Sequence, residues 1–399
     1  MSTSTDETPS PERLASGYTG RILLLIALAS MSSQVGWLIL PPLLPEIIDD
    51  LGISSVQAGF ALTLLTLSGA IGRYPGGRLA DQLSRKTVIG FCFLAWITGF
   101  SILAVTTTYA LFLLGVAIAG LGIGMYVPAA FAQLSDLFVQ KRGQAFGLNN
   151  AAYSVAGIIA PGLAFVVLLF GPWRSFFPML VGVFLILAAL FHVVHRDEYV
   201  IHRVELGLRA TVRRIIFDPQ VRLVLAAASI TSFVWNGSVS FLPIFLEAER
   251  GLSAQTAGIA FATLFLVGAI ATPLSGLAGD RFGNLRTILS MICFAGVGLI
   301  ALTLASSVVG LFLGVGLFAV GLLGFWPVMT AYMMAIFPAG TRGGDYGAVG
   351  MVYFGAGSLG PTYVGFMGGY ATYTLAYTGF IGCLIACFAI VLYARMKEQ

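Results

Sequence analysis

The chain has 399 residues, of which 58% are hydrophobic and only 10% charged, with a formal net charge of +4 and a mean hydropathy of +0.93. Soluble domains carry about 25% charged residues, so this chain cannot cover itself with a wettable surface, and a bilayer is the solvent it suits. The small positive charge does not point to nucleic acid, because no basic stripe interleaves with aromatics.

In chain order, residues 1–20 form a polar tail expected in the cytoplasm. The stretch Ala27–Ser30 (ALAS) looks like a signal-peptidase site, but Asp6, Glu7 and Glu12 precede it and the apolar run continues to Leu44. A secretory signal wants a basic start and a longer apolar core, so this run reads as a first spanning helix. A span needs roughly 20 apolar residues. By that rule the first half holds spans at 21–44, 56–79, 87–106, 109–136, 144–170 and 174–194. A charged connection, 195–220, follows. The second half holds spans at 221–247, 255–278, 287–306, 308–336, 345–370 and 374–395. The expected fold is an all-α membrane protein with twelve transmembrane helices in two six-helix bundles, 21–194 and 221–395.

Basic residues orient the spans. With the N-terminus inside, eighteen Lys and Arg fall in cytoplasmic segments, and only Arg174 and Arg250 on the opposite face. Such a bias sets both termini in the cytoplasm of a plasma-membrane protein. Arg73 belongs to neither loop set. The four cysteines, Cys92, Cys293, Cys383 and Cys387, lie in apolar runs without His, Asp or Glu at ligand spacing. They read as packing groups, with no metal and no cofactor expected.

The halves repeat. Residues 111–128 align with 311–327, the turns RGQAFG (142–147) and RGGDYG (342–347) match, and Pro161 and Pro361 are 200 residues apart. Two like-oriented six-span units imply an axis along the membrane normal, with a substrate site between them near the midplane. The segment GRYPGGRLADQLSRKTV (72–88) has an echo in GLAGDRFGNLRTIL (276–289). These paired loops resemble the signature between spans 2 and 3 of the major facilitator superfamily, and the resemblance covers all twelve spans. The first copy has Gly77, Asp81, Arg85 and Lys86, with Gln82 and Ser84 replacing the usual Arg and Gly; the second keeps Gly276, Asp280, Arg281, Gly283 and Arg286. The resemblance implies that Asp81 meets the start of span 11 near Gly343 and Gly344 in the outward-facing state. It likewise implies that Asp280 meets the start of span 5 near Gly143, with Arg85, Lys86, Arg142 and Arg342 completing a gating network. A carboxylate at a helix N-terminus suits the dipole there.

Polar groups deep in a span are costly and become site candidates. They are Gln34 and Trp37 in span 1, Tyr126 in span 4, and Asn149, Asn150 and Tyr153 in span 5; the second half adds Trp235 and Asn236, Trp326 and Tyr332, and Tyr353. Aromatics paired with amides suit an organic solute. Arg73, about five residues deeper than Arg78, either snorkels to headgroups or faces the cavity as an anion receptor. Nitrate and organic-anion carriers of the superfamily resemble this chain in that arginine, but span 8 lacks their second one. Span 5 carries Gly157, Pro161 and Gly162, similar to the antiporter signature of drug exporters, with Ala160 where Gly is usual. No span has Asp, Glu or His near its centre, which argues against proton coupling through a buried carboxylate. Uniport, exchange and H+ or Na+ coupling stay open.

The leading expectation is a secondary, non-ATP transporter of a small organic or drug-like solute, acting as a monomer in the lipid bilayer. The alternative is a nitrate-like or organic anion carrier using Arg73. A further one is a non-transporting receptor or scaffold on the same fold, which the short central connection disfavours. An enzyme is not expected, since no nucleophile–base set or phosphate loop occurs.

Overall fold

The computed structural model describes residues 13–139, 141–202, 219–336 and 342–398, apart from the side chains at 142–143, 219, 342–346 and 398. Regular structure among them is entirely helical. The N-terminal half contains α1 (Gly17–Leu38), α2 (Leu40–Leu51), α3 (Ser55–Gln82), α4 (Arg85–Ala104), α5 (Tyr109–Leu137), α6 (Arg142–Phe170) and α7 (Phe176–Val194). The C-terminal half contains α8 (Pro219–Ala248), α9 (Ala254–Phe282), α10 (Asn284–Leu304), α11 (Val308–Ile336), α12 (Arg342–Gly357), α13 (Leu359–Tyr370) and α14 (Tyr373–Glu398). Among the described residues, eleven helices are individually long and apolar enough to span a membrane. α12 and α13 together make the twelfth crossing.

Two expected spans are not single straight helices. The first, expected over 21–44, kinks at Ile39 and runs on as α2 to Leu51. Pro41 and Pro42 have no N–H for the carbonyls of Trp37 and Leu38, so α1 ends there. The eleventh breaks after Gly357, whose carbonyl would otherwise await the missing N–H of Pro361. The repeat-related Pro161 leaves α6 unbroken. Span 11 adds Ser358, whose hydroxyl donates to Gly355 O at 2.6 Å and competes with the helical bond.

Within each half the helices close on small residues and aromatic stacks. α3 crosses α5 so closely that a Cβ on Gly76 would stand 2.5 Å from Met125 Cα. Trp96, Phe100, Phe177 and Phe184 stack in the N-terminal core. One end of the molecule bears the start of α1 and the end of α14 and is here called the termini face; the opposite end is called the far face. There, Arg174 binds the Asp50 carboxylate at 2.6 Å and donates to Thr106 O. The hydrogen bond from Arg174 holds the Asp50 carboxyl below its usual range, against the opposing effect of burial. The second half has its own version: Glu249 accepts from Tyr373 N–H at 2.8 Å, and Arg250 donates to Thr303 O at 2.6 Å.

On the termini face, the segment after α7 straps across α3 and α4. Lys86 Nζ donates to His195 O at 2.8 Å, Val200 N–H to Thr87 Oγ1 at 2.9 Å, and His202 Nε2 to Gln82 O at 2.8 Å.

The halves meet along α3 with α12 and α13, α6 with α9, and α2 with α8. Near the far face a Cβ on Gly59 would fall 2.4 Å from Pro361 O, Thr63 and Thr362 share a hydroxyl bond of 2.8 Å, and Tyr373 O–H donates to Ser55 Oγ at 3.0 Å. Deeper, Phe265 of α9 occupies the gap beside Gly157, 2.3 Å from where its Cβ would be.

Candidate functional site

Arg73 lies in the seam between the halves. Its guanidinium sits 3.5 Å above the ring of Phe354, on α12 of the other half. An arginine facing lipid could not make that contact, so the snorkelling alternative gives way to the seam-facing one. Phe354 is parallel to Trp326, with centroids 6.0 Å apart and planes at 5°. Tyr353 packs on both, at 5.2 Å from Trp326 and 4.7 Å from Phe354. Tyr353 is buried, while Arg73, Trp326 and Phe354 are half-buried and keep accessible surface. A cation on the face of an aromatic ring is held by the ring quadrupole, so Phe354 helps to position Arg73.

In the same half as Arg73, α6 carries Asn149 and Tyr153, one helical turn apart. Ser30 Oγ of α1 donates to Asn149 Oδ1 at 2.7 Å, which fixes the amide but leaves its Nδ2 without a partner among the described residues. Asn149 is fully buried. The Tyr153 hydroxyl is likewise buried. Ser30, Asn149 and Tyr153 form one buried polar cluster where α6 packs on α1. Tyr126 differs: its hydroxyl donates to Ile26 O at 2.7 Å and serves packing of α5 on α1.

The remaining candidates disperse. Gln34 and Trp37 are half-buried on the α1 stripe that begins at Ser30, one and two turns toward the far face. Asn150 is exposed, on the α6 stripe that carries Gly157 and Pro161 toward α9. Trp235 packs edge-on against Phe265 at 6.0 Å, and Phe265 in turn covers Gly157. Asn236 is buried, and its amide nitrogen turns back along α8 to Ser232 O at 2.9 Å. Tyr332 lies apart, in a shallow cleft of the termini face with Asn284, Arg286 and Arg395. Ser30 and Phe354 were not among the sequence candidates: a serine in an apolar span and a phenylalanine in a phenylalanine-rich chain carry no signal of their own.

In the loop motifs, Asp81 is largely exposed and pairs with Arg85 at 3.6 Å, while Arg85 Nε donates to Asp136 at 3.0 Å. Lys86 is buried, its ammonium inside the N-terminal half beneath the Tyr199 ring. Asp280 and Arg281 are exposed at the end of α9, and Gly283 takes a left-handed φ of 91° that an L-residue resists. The methyl a residue at 77 would add meets only Pro128 at 3.7 Å, and Gly276 has nothing within 4 Å. Close helix approach therefore belongs to Gly76, not to Gly77 or Gly276. The side chains of Arg142 and Arg342 lie outside the described residues; their backbones open α6 and α12.

Known proteins share this plan. The chain is 26% identical over 287 residues to multidrug resistance protein MdtL of Klebsiella pneumoniae (strain 342), covering 70% of this chain and 71% of that one. It is 25% identical over 296 residues to the probable nitrate transporter NarT of Staphylococcus carnosus (strain TM300), covering 73% and 74%. Its fold matches a bacterial homolog of the human lysosomal transporter Spinster in an inward-facing, occupied conformation, with a TM-score of 0.79 at 19% identity over 95% of this chain and 97% of the other. The D-xylose–proton symporter fold matches with a TM-score of 0.76 at 14% identity, over 94% and 97%. The family model of the Major Facilitator Superfamily matches residues 26–268 and 224–399. This chain, with its paired bundles and repeated loop motifs, belongs to the Major Facilitator Superfamily and is a multi-pass secondary transporter.

Proposed function

We propose that this transporter carries a small organic solute by alternating access, binding it in the seam between the bundles around Arg73, Trp326 and Tyr353. The observation that carries the reading is the contact of Arg73 with Phe354, because it sets a charged group of one half against an aromatic face of the other. A solute held there touches both moving bodies, which is what alternating access requires. The contacts at Gly59, Thr63 and Gly157 seal the seam on the far-face side of the cluster. Opening that side means parting them, while the solute is released toward the termini face in the other state.

In this reading the termini face is cytoplasmic, the membrane is the plasma membrane, and the chain works as a monomer. Asp81 and Asp280 gate that face by docking on the starts of α12 and α6, with Arg142 and Arg342 completing the network. Each exposed ion pair is worth about 0.2–1 kcal/mol, enough to bias a conformational equilibrium and not to lock it.

A thermal-shift screen over anions, sugars, amino acids and cationic drugs identifies a stabilising compound, since a stabiliser binds the folded state. Proteoliposomes then take up that compound, and the Trp326→Ala/Tyr353→Ala variant loses the flux while still reconstituting. Wild-type flux in the variant places the solute elsewhere. A second reading, transport of an anion, is favoured by the position of Arg73 in the seam. Under it, Arg73→Gln abolishes anion flux; unchanged flux removes that reading.

A further inference from the structure

The twofold repeat matches Lys86 with Arg286, Thr87 with Thr287 and His195 with Arg395, each pair 200 residues apart. In the first half this corner, between the start of α4 and the end of α7, is filled by the chain itself. Lys86 Nζ donates to His195 O at 2.8 Å beneath the Tyr199 ring, and Val200 N–H donates to Thr87 Oγ1 at 2.9 Å. In the second half the matching corner, between the start of α10 and the end of α14, is an open cleft of about 440 Å³. Arg286 and Arg395 line it together with Phe282, Asn284 and Tyr332. Thr287 turns its hydroxyl back to Gly283 O of its own helix end at 3.1 Å. Neither arginine pairs with a carboxylate among the described residues, and Asp280, exposed at the end of α9, lies outside the lining.

We propose that this cleft binds the phosphate of an anionic phospholipid from the leaflet that borders the termini face. Two guanidinium groups on one cleft offer forked donors to phosphate oxygens, a geometry that the lysine and histidine of the first half do not supply. Basic pockets between transmembrane helices at a membrane surface hold acidic headgroups. Phe282 serves the rest of the molecule: it is 57% exposed and lines the same cleft where α9 ends, so its ring meets the glycerol and first methylenes of a lipid. A free phosphate ion meets the arginines but leaves Phe282 uncovered. A zwitterionic lipid brings the same phosphate with a cation that both arginines repel. The lipid thus supplies from outside the acceptor that His195 O supplies to Lys86 in the first half.

The test uses purified full-length protein in a neutral detergent, with bound lipids counted one by one by native mass spectrometry. The probes are dioleoyl phosphatidylglycerol, dioleoyl phosphatidylcholine with the same chains, and glycerol 3-phosphate, the headgroup chemistry without chains. The first phosphatidylglycerol is expected to bind about tenfold tighter than the first phosphatidylcholine, equivalent to about 1.4 kcal/mol. Arg286→Gln/Arg395→Gln erases that preference while phosphatidylcholine binding stays at the wild-type level, a separation that a misfolded variant does not give. Arg286→Gln alone, at an exposed position, removes part of it. Arg21→Gln deletes an exposed cation of the same face outside this cleft and keeps the preference. Phe282→Ala weakens both lipids and keeps the ratio between them.

Equal affinity for the two lipids overturns the proposal, as does a preference that survives in Arg286→Gln/Arg395→Gln. An equal loss in Arg21→Gln overturns it in favour of the diffuse positive charge of the whole face. Glycerol 3-phosphate that displaces phosphatidylglycerol at matched concentration overturns it in favour of a soluble phosphate compound.

Discussion

Gly76 and Gly77 are neighbours in one motif, yet the packing separates them. A methyl at 76 would press on Met125 backbone atoms at 2.5 and 2.7 Å, whereas one at 77 meets only Pro128 at ordinary distance. Backbone cannot move aside as a flexible side chain can, so Gly76→Ala is expected to cost about 1–3 kcal/mol. Gly77→Ala is expected to be neutral or stabilising, because Ala is about 1 kcal/mol better than Gly in a helix interior. Thermal unfolding of the two variants side by side decides this, and equal falls in midpoint contradict it. Arg73 makes the same point for function. A lone cation in an apolar span is conspicuous in sequence, but each helical residue turns by about 100°, so lipid and seam are only a residue apart. What Arg73 touches was decided by Phe354, an apolar residue from the other half.

At the scale of elements, hydropathy located every crossing but missed the kink at Ile39 and the break at Ser358. Window averages respond to total apolarity, and neither a proline nor a serine changes that enough. The strap after α7 was invisible for a different reason: its bonds join residues more than a hundred positions apart, as in Lys86 with His195 and Gln82 with His202. His195 is almost wholly buried there, with Nε2 on Gln133 Oε1 at 3.0 Å and Nδ1 accepting from Asp197 N–H at 3.3 Å. Burial pushes its pKa below the ordinary 6.5, with Lys86 adding to the fall and Asp197 opposing it. The folded state therefore binds fewer protons than the unfolded one. Its stability is full above the ordinary histidine value and declines as pH falls through that value toward the depressed one, by at most about 1.4 kcal/mol per pH unit for one group. Thermal midpoints measured between pH 7.5 and 5 should fall (a range set by about 6.5 for free histidine), and His195→Gln should flatten the fall. A variant with the wild-type slope contradicts the assignment.

For the whole molecule, the far-face contacts between bundles are the ones that hold the seam shut on that side. Gly59 is among the most sensitive of them, since its missing Cβ is replaced by the carbonyl of Pro361, 2.4 Å away in the other bundle. Gly59→Val therefore wedges the bundles apart without disturbing either core. Spin labels attached through Asp49→Cys and Ser306→Cys, both exposed on the far face, should report a larger long-distance population in a background free of the four native cysteines. A shift of about 1–3 kcal/mol in the closing equilibrium, the usual cost of overpacking, corresponds to about 5- to 150-fold in population. An unchanged distance distribution would mean that the far face does not open along α3 and α13.

The sequence alone determined the solvent, the twelve crossings, the twofold repeat and the family loops. These follow from composition and from patterns along one chain, where the physics is local: transfer of apolar helices into lipid and the spacing of charges between them. The tertiary structure decided which way Arg73 points, that Ser30 of α1 holds Asn149 of α6, and that Lys86 and His195 are built into a strap. Those are contacts between segments far apart in the chain. Their strength depends on burial and distance, and neither is fixed until the two bundles have packed.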